Sequence, residues 1–508
     1  MRGRRFAAVP IEVAAAAVQI RETSQQWRFS PEQLDVLERL LTGGNGIEAV
    51  VGVAGAGKTS LMAAARTGWE AQELVVASAS TASVAAENLF NEAAIPSHSI
   101  ASWLARIDRG QGLAGVDVLV VDEAAMVDDR AMARLVVEAA RTGTKVVSIG
   151  DPEQLRAIGV GGMFAEVHRL THGLTLGENR RQVDAAERDA LQTWRDGDRR
   201  GALRALAAAG HVHATDSPAQ AHEQMLTAWA QARADIPDPH DRIDDVLLLA
   251  GRNADVDMLN AGARAQARAG GELVGDDVDY GPGIALAVGD VVRVRANDYR
   301  SRRGAGADVL NGYRAVVTEQ DPELGARIAW RAPGPDGPEL TQAWMSPSAI
   351  AEGELTHGYA MTIASAQGLT SDVALVYAAG ADAYTIYPGI TRARRRTDTW
   401  LPLDALEDDT TRIRLGPVAD RAERLDRAVT AYADRVERAR GLREEASIRA
   451  ALPADRLAAE DAIRVDIERD RREQRARERR QEQQLQQTRR PRLPAHQGPG
   501  HGGRGFSM

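Results

Sequence analysis

The sequence predicts an α/β protein built on parallel sheets, and three observations carry that expectation. Short β-branched runs alternate with helical patterns between residues 30 and about 170, and the pattern resumes at Tyr359. A glycine turn, Gly52-Val53-Ala54-Gly55-Ala56-Gly57-Lys58-Thr59, joins one such run to a helix and fits G-x-x-x-x-G-K-[ST] without a gap. Residues 284–345 differ: short β runs divided by Gly- and Pro-rich turns read as a small β-barrel inserted in a second α/β domain.

In chain order, Met1 to Ile20 carries early arginines and an Ala-rich run broken by Pro10 and Glu12, and reads as a helix or a ragged end. Ser30-Pro31-Glu32, followed by Leu34, Leu37 and Leu40, predicts a capped amphipathic helix with Pro31 at its first position. Ile47–Val51, Leu74–Ser78, Val116–Val121 and Lys145–Ile149 are the strand candidates of the first domain, expected over 30–172 after a 1–29 lead. The second domain is expected over 173–283 and 346–403. It is mostly helical to about 265, with strands at Val246–Ala250, Val373–Tyr377 and Asp398–Leu401. Val291–Arg295, Ala315–Thr318 and Arg327–Trp330 are the insert's strand candidates. Residues 404–484 read as a charged helical extension with little apolar periodicity after Leu425. Residues 485–508, rich in Gln, Pro, Gly and Arg, read as a disordered basic tail.

Composition bounds the chemistry. The chain has 508 residues, 44% of them hydrophobic, enough for several cores. A net charge of −9 gives no global basic field, so any nucleic-acid binding must come from local patches. Zero cysteines exclude disulfides and thiolate chemistry and fit a cytoplasmic protein. No run of 18 apolar residues suggests a membrane span. Only two of the 63 cations are lysines, Lys58 and Lys145. One of them stands where a phosphate loop needs a compact charge on a flexible stem.

A strand, a glycine turn and a helix set several N–H groups and the positive end of a helix dipole around one anion. Gly52, Gly55 and Gly57 let the backbone approach phosphate oxygens, with Ala56 between the last two and Ser60 following Thr59. Lys58 would reach the β- and γ-phosphates of ATP, and the Thr59 hydroxyl would hold Mg²⁺. Asp122-Glu123 ends an apolar strand. Asp122 suits the Mg²⁺ shell, and Glu123 suits orienting and deprotonating a water. Gly150–Leu155 ends the next strand, where the Gln154 amide can bond both a γ-phosphate and a water.

These motifs, in this order, resemble the superfamily 1 helicases, and most closely the RecD-like branch that includes the helicase part of conjugative relaxase–helicases. The resemblance spans residues 30–402. It adds Gln33 as the glutamine that reads adenine and Ser80 and Thr81 as contacts to strand phosphates. It adds Arg181-Gln182 as motif IV. It also adds Tyr359–Thr362 with Ala366-Gln367-Gly368-Leu369-Thr370 as motif V, and Tyr387 with Thr391-Arg392 as motif VI. Leu310-Asn311-Gly312 falls where similar proteins turn in an SH3-like barrel. The resemblance implies two RecA-like P-loop domains with ATP between them, Arg181 and Arg392 reaching the γ-phosphate from the second, Gln367 and Gly368 at the nucleotide, and Thr362 and Thr370 at DNA. It implies 5′→3′ movement on single-stranded DNA and duplex junctions, with relaxase or other conjugation or repair proteins as partners. Two positions depart from the pattern. Ala364-Ser365 stands in place of His-Lys, and Pro388-Gly389 interrupts the strand expected before Thr391.

Other groups have two readings. Arg293, Arg295, Arg300, Arg302 and Arg303 could grip phosphates or solvate a hairpin. Trp103 and Phe164 could stack on bases or fill a core. His211-Val212-His213 has metal-ligand spacing but no third histidine nearby, and the first tyrosine, Tyr280, comes too late for a nicking nucleophile. Two functions stay open: a DNA helicase or translocase driven by ATP, and a DNA-binding ATPase scaffold with weak or no unwinding.

Overall fold

A computed structural model describes residues 6–81, 89–90, 93–155, 157, 161–281, 283–334 and 337–451. The last part of the charged extension and the basic tail expected at 485–508 lie outside these residues, as do residues 82–88. The first lobe contains β1 (Ile47–Gly52), β2 (Val76–Ser80), β3 (Ser97–Ser99), β4 (Val118–Val121), β5 (Lys145–Gly150) and β6 (Thr175–Leu176). They form one parallel sheet in the order β3-β2-β4-β5-β1-β6. All four residues of β4 are buried, as a strand covered by helices on both faces requires. Every chemistry-bearing turn of this lobe therefore leaves the carboxyl edge of the sheet, the edge where open α/β sheets bind ligands. The expected boundary at 172 falls short of β6, which pairs with β1 through Val51 and Gly52.

β7 (Val212–Thr215) and β8 (Val246–Ala250) belong to the second lobe. The insert follows, with β9 (Val274–Asp279), β10 (Ala285–Val288), β11 (Val291–Val294), β12 (Arg314–Asp321), β13 (Gly325–Gly334), β14 (Gly337–Met345) and β15 (Leu355–His357). β16 (Ala360–Thr362), β17 (Ser371–Tyr377) and β18 (Ala393–Pro402) then complete a parallel sheet, β16-β8-β17-β18-β7. The insert is wider than the expected 284–345. Its strands pair as an antiparallel sheet, β14-β13-β12-β11-β15, and a hairpin, β10-β9, that share a core around Leu286, Val292 and Trp330. Among the described residues these are two sheets, and their pairings do not close a single barrel.

Two further expectations change. Pro388-Gly389 interrupts no strand: both lie in the helix Ala383–Ile390. Pro388 lacks the N–H that would donate to the Tyr384 carbonyl, a loss confined to one bond because the helix ends two residues later; its own last-turn carbonyl accepts from Arg392 Nε (2.8 Å). The charged extension also carries a hidden apolar face. Val429, Tyr432, Ala433 and Val436 of the helix Arg421–Ala451 are buried in the second-lobe core. Their spacing of three and four is helical, but the charged residues around them mask it.

At the opposite edge of the first sheet, Lys145 is fully buried and donates to the Leu40 carbonyl (2.5 Å). Burial pulls it down to about 8; the Glu48 carboxylate opposes the shift and Arg39 adds to it. An unfolded lysine holds its proton to about 10.4, so between those values the unfolded chain binds more protons and stability rises with pH. Compared with Lys145→Met in chemical unfolding, the parent is expected to gain about 2–3 kcal/mol of relative stability from pH 8 to 10.4. A flat difference across that window would contradict the burial.

Candidate active site

The helix Pro31–Thr42 starts with a capping box: Ser30 Oγ accepts from Gln33 N, and Gln33 Oε1 accepts from Ser30 N (3.0 Å). The other end of that amide, Nε2, donates to the Ala56 carbonyl inside the glycine turn (2.9 Å). Arg180 Nη1 also donates to Gln33 Oε1 (3.2 Å). Gln33 is 3% exposed, with both ends of its amide engaged. Bonded at both ends, the amide braces the turn here.

In the turn, Gly55 and Gly57 have φ of +78° and +73°, a region that side chains disfavour. A Cβ at Gly55 would stand 2.5 Å from Arg181 Cβ, and one at Gly57 2.8 Å from Gln33 Nε2. The helix Lys58–Glu70 begins here, so the N–H groups of Lys58, Thr59 and Ser60 have no intrahelical acceptor. Lys58 Nζ donates to the Gly52 carbonyl (3.0 Å), which holds the ammonium over the turn. This cradle of free N–H groups and one ammonium, with no Cβ at Gly55 and Gly57, fits a polyphosphate.

Lys58, Thr59, Asp122, Glu123, Gln154, Arg181 and Arg392 all line one cleft of about 510 Å³ between the lobes. Ala56, Gly57, Ser60, Gln367, Gly368, Thr81 and Thr370 share it, whereas Gln33 and Gly52 stand behind the turn. Glu123 has φ +48°, strained for a residue with a side chain, at the point where β4 ends. Asp122 Oδ1 accepts from Glu123 N (2.9 Å). Gln154 is 1% exposed; its Nε2 donates to Asp151 Oδ2 (3.3 Å).

The two arginines reach the cleft differently. Arg181 was expected from the second lobe. Its connector in fact lies on the glycine turn, with Arg180 N donating to the Gly55 carbonyl (3.0 Å), while Arg181 Nη1 reaches across to the Thr391 carbonyl (2.9 Å). Arg392 does come from the second lobe. It is 3% exposed, held by the Pro388 carbonyl and by the Leu369 carbonyl (3.2 Å). Burial lowers its pKa, and the strongest opposing charge is Glu123 across the cleft. Arg180 was missed; its sequence neighbour carried the motif, and only the fold shows both facing the cleft.

The remaining candidates divide. Ser80 is fully buried in β2 and cannot meet a strand as placed, whereas Thr81 beside it is exposed. Thr362 Oγ1 is hydrogen-bonded to Ser365 Oγ (2.7 Å) and lines a second groove of about 850 Å³ with Arg293, Arg295, Arg264 and Arg268. Arg293 faces both cavities, and burial lowers it to about 10. Arg300 and Arg303 instead pair with Asp298, and Arg302 lies over Tyr299. Trp103 and Phe164 are core residues, Trp103 donating to the Ser78 carbonyl (2.8 Å). His213 is committed to Asp398 (2.9 Å) and His211 lies against Glu187 (3.3 Å). No described helix is long and apolar enough to cross a membrane.

An AAA domain family model matches residues 28–217. A probable conjugal transfer protein TraA from Sinorhizobium fredii is 32% identical over 380 residues, 73% of this chain and 32% of the relative. The RecBCD enzyme subunit RecD of Mycolicibacterium smegmatis is 30% identical over 300 residues, 55% of this chain and 49% of that protein. Among solved structures, the Pif1 helicase from Candida albicans aligns with a TM-score of 0.48 at 18% identity, covering 73% of this chain and 94% of that one. The chain thus resembles TraA and RecD, and it spans about a third of the length of the TraA relatives.

Gln33→Ala is expected to cost about 1–2 kcal/mol in urea unfolding, from a lost capping box and a lost bond to the turn. An unchanged midpoint would mean that the brace carries no load.

Proposed function

We propose that this chain is an ATP-dependent DNA helicase or translocase, moving 5′→3′ on single-stranded DNA in the cytoplasm and serving plasmid conjugation or recombination and repair. One observation carries the reading: Lys58, Glu123, Gln154, Arg181 and Arg392 meet in a single cleft between two parallel-sheet lobes. The similarity to TraA and RecD over this same region supports it.

In this reading the free N–H groups of the turn and the Lys58 ammonium bind the β- and γ-phosphates of ATP. Thr59 and Asp122 offer the oxygen donors that suit Mg²⁺, which when bound neutralises phosphate charge. Glu123 takes the proton of the attacking water, and Gln154 orients that water. Arg181 and Arg392 stabilise the charge that develops on the transferred group, worth about 10³–10⁵ in rate for such arginines. Because Arg392 arrives with the second lobe, the full constellation exists only when the lobes are apposed. Hydrolysis removes the charge that holds them, and alternating grip on the strand turns opening and closing into steps. Thr81, Thr362, Thr370, Arg293 and Arg295 are the proposed contacts to strand phosphates, and duplex junctions are where unwinding would occur. A relaxase or another conjugation or repair protein is the proposed partner.

A second reading, an ATPase scaffold that binds DNA without unwinding it, draws on Ala364-Ser365. These line the cleft yet bring no cation where the family pattern has one.

Hydrolysis is expected to rise strongly with single-stranded DNA. Lys58→Ala and Glu123→Gln are expected to lower kcat by at least about 10³-fold, with Glu123→Gln still binding ATP. Displacement of a strand from a 5′-tailed but not a 3′-tailed duplex would favour the helicase over the scaffold. Hydrolysis indifferent to DNA would count against both.

A further inference from the structure

Asp151 follows β5 in the first lobe and its side chain is fully buried. Its partner is outside every motif identified in the sequence. Arg195, the last residue of the helix Ala185–Arg195, packs with the second-lobe core through its neighbours Leu191 and Trp194. Its Nη1 donates to Asp151 Oδ1 and Oδ2 (2.9 Å each) and to Tyr387 Oη (3.3 Å). A buried carboxylate left without a cation would be strongly disfavoured, so this pair depends on apposition of the lobes.

Asp151 also touches Gln154. An ionised carboxylate only accepts hydrogen bonds, so the end of the amide facing Asp151 must be the NH₂ group. The amide oxygen is then the other end, on a residue that lines the cleft. It is buried and has no hydrogen-bond partner among the described residues. An oxygen there can accept from a water; a flipped amide could only donate.

We propose that Arg195 is a positioning residue supplied by the second lobe: by holding Asp151, it sets the Gln154 amide with its oxygen toward the cleft, and only when the lobes are apposed. This rests on the ATPase reading above and assigns to closure a second task besides delivering Arg392. Neighbouring contacts allow the role to be separated from simple bracing. Arg199 pairs with Glu153 (3.4 Å) and Glu437 (2.8 Å), and Arg440 with Glu153 (3.6 Å). These tie the same seam without touching Asp151.

The test is a double-substitution cycle on the full chain, reading ATP hydrolysis at saturating oligothymidylate. Arg195→Gln is expected to lower kcat by about 10²-fold while KM for ATP stays within about twofold. Arg195→Lys is expected to recover most of the loss. In a Gln154→Ala background, Arg195→Gln is expected to cost less than about twofold more. Arg199→Gln is expected to leave kcat within about twofold. Multiplicative losses in the double variant, or an Arg199→Gln defect equal to that of Arg195→Gln, would overturn the proposal and leave the ATPase reading standing. No hydrolysis by the parent chain would overturn both.

Discussion

Several negative charges can be carried into a cleft shielded from water only if fixed positive groups meet them there. That constraint organises this molecule. Lys58 and the first-turn N–H groups come from one lobe, Arg392 from the other, and Arg181 from the connector that lies on the glycine turn and bonds across to Thr391. Crowding these cations together costs Coulomb repulsion, which an anion between them offsets. Glu123 and Asp122 supply part of that offset in the protein itself, and the proposed nucleotide supplies the rest.

The seam beside the cleft follows the same logic with the signs reversed. Asp151 and Glu153 leave the end of β5 as buried or half-buried carboxylates, and Arg195, Arg199 and Arg440 answer them from the second lobe. Arg440 belongs to the helix Arg421–Ala451, whose buried face is part of the second-lobe core. The charged extension is thus continuous with the groups that face Gln154. The insert meets the same region from another side. Asp290 is fully buried, accepting from Tyr359 Oη (2.7 Å) and from Arg264, which ties the insert to the strand that carries Thr362.

Much of this was legible in the sequence because the residues are adjacent in the chain. The glycine turn, Asp122-Glu123 and Gly150–Gln154 each sit at the end of an apolar run, and strand ends are readable from burial pattern alone. What was hidden is long-range. Gln33 matched a base-reading position, yet its amide is consumed by a capping box and by Ala56, partners that no linear pattern distinguishes. Ser80 matched a strand contact but lies inside the sheet edge, one residue short of exposure. Pro388 read as a strand breaker because the surrounding residues are apolar and β-branched or aromatic, whereas the tertiary core holds them as a helix. Arg195 has no local signature at all: it is one arginine among dozens, and only the fold brings it to Asp151.

In the proposed cycle, closure of the two lobes completes the cleft. The chain has no cysteine, so spin labels can be placed without background. Val137 of the first lobe and Met258 of the second are 71% and 63% exposed and suit replacement by labelled cysteine. Pulsed electron–electron resonance between them is expected to give a broad distance distribution in the free chain. With Mg²⁺ and a non-hydrolysable ATP analogue that distribution should narrow and shorten, and with ADP it should relax again. A distribution unmoved by the analogue, under conditions where it binds, would contradict the account.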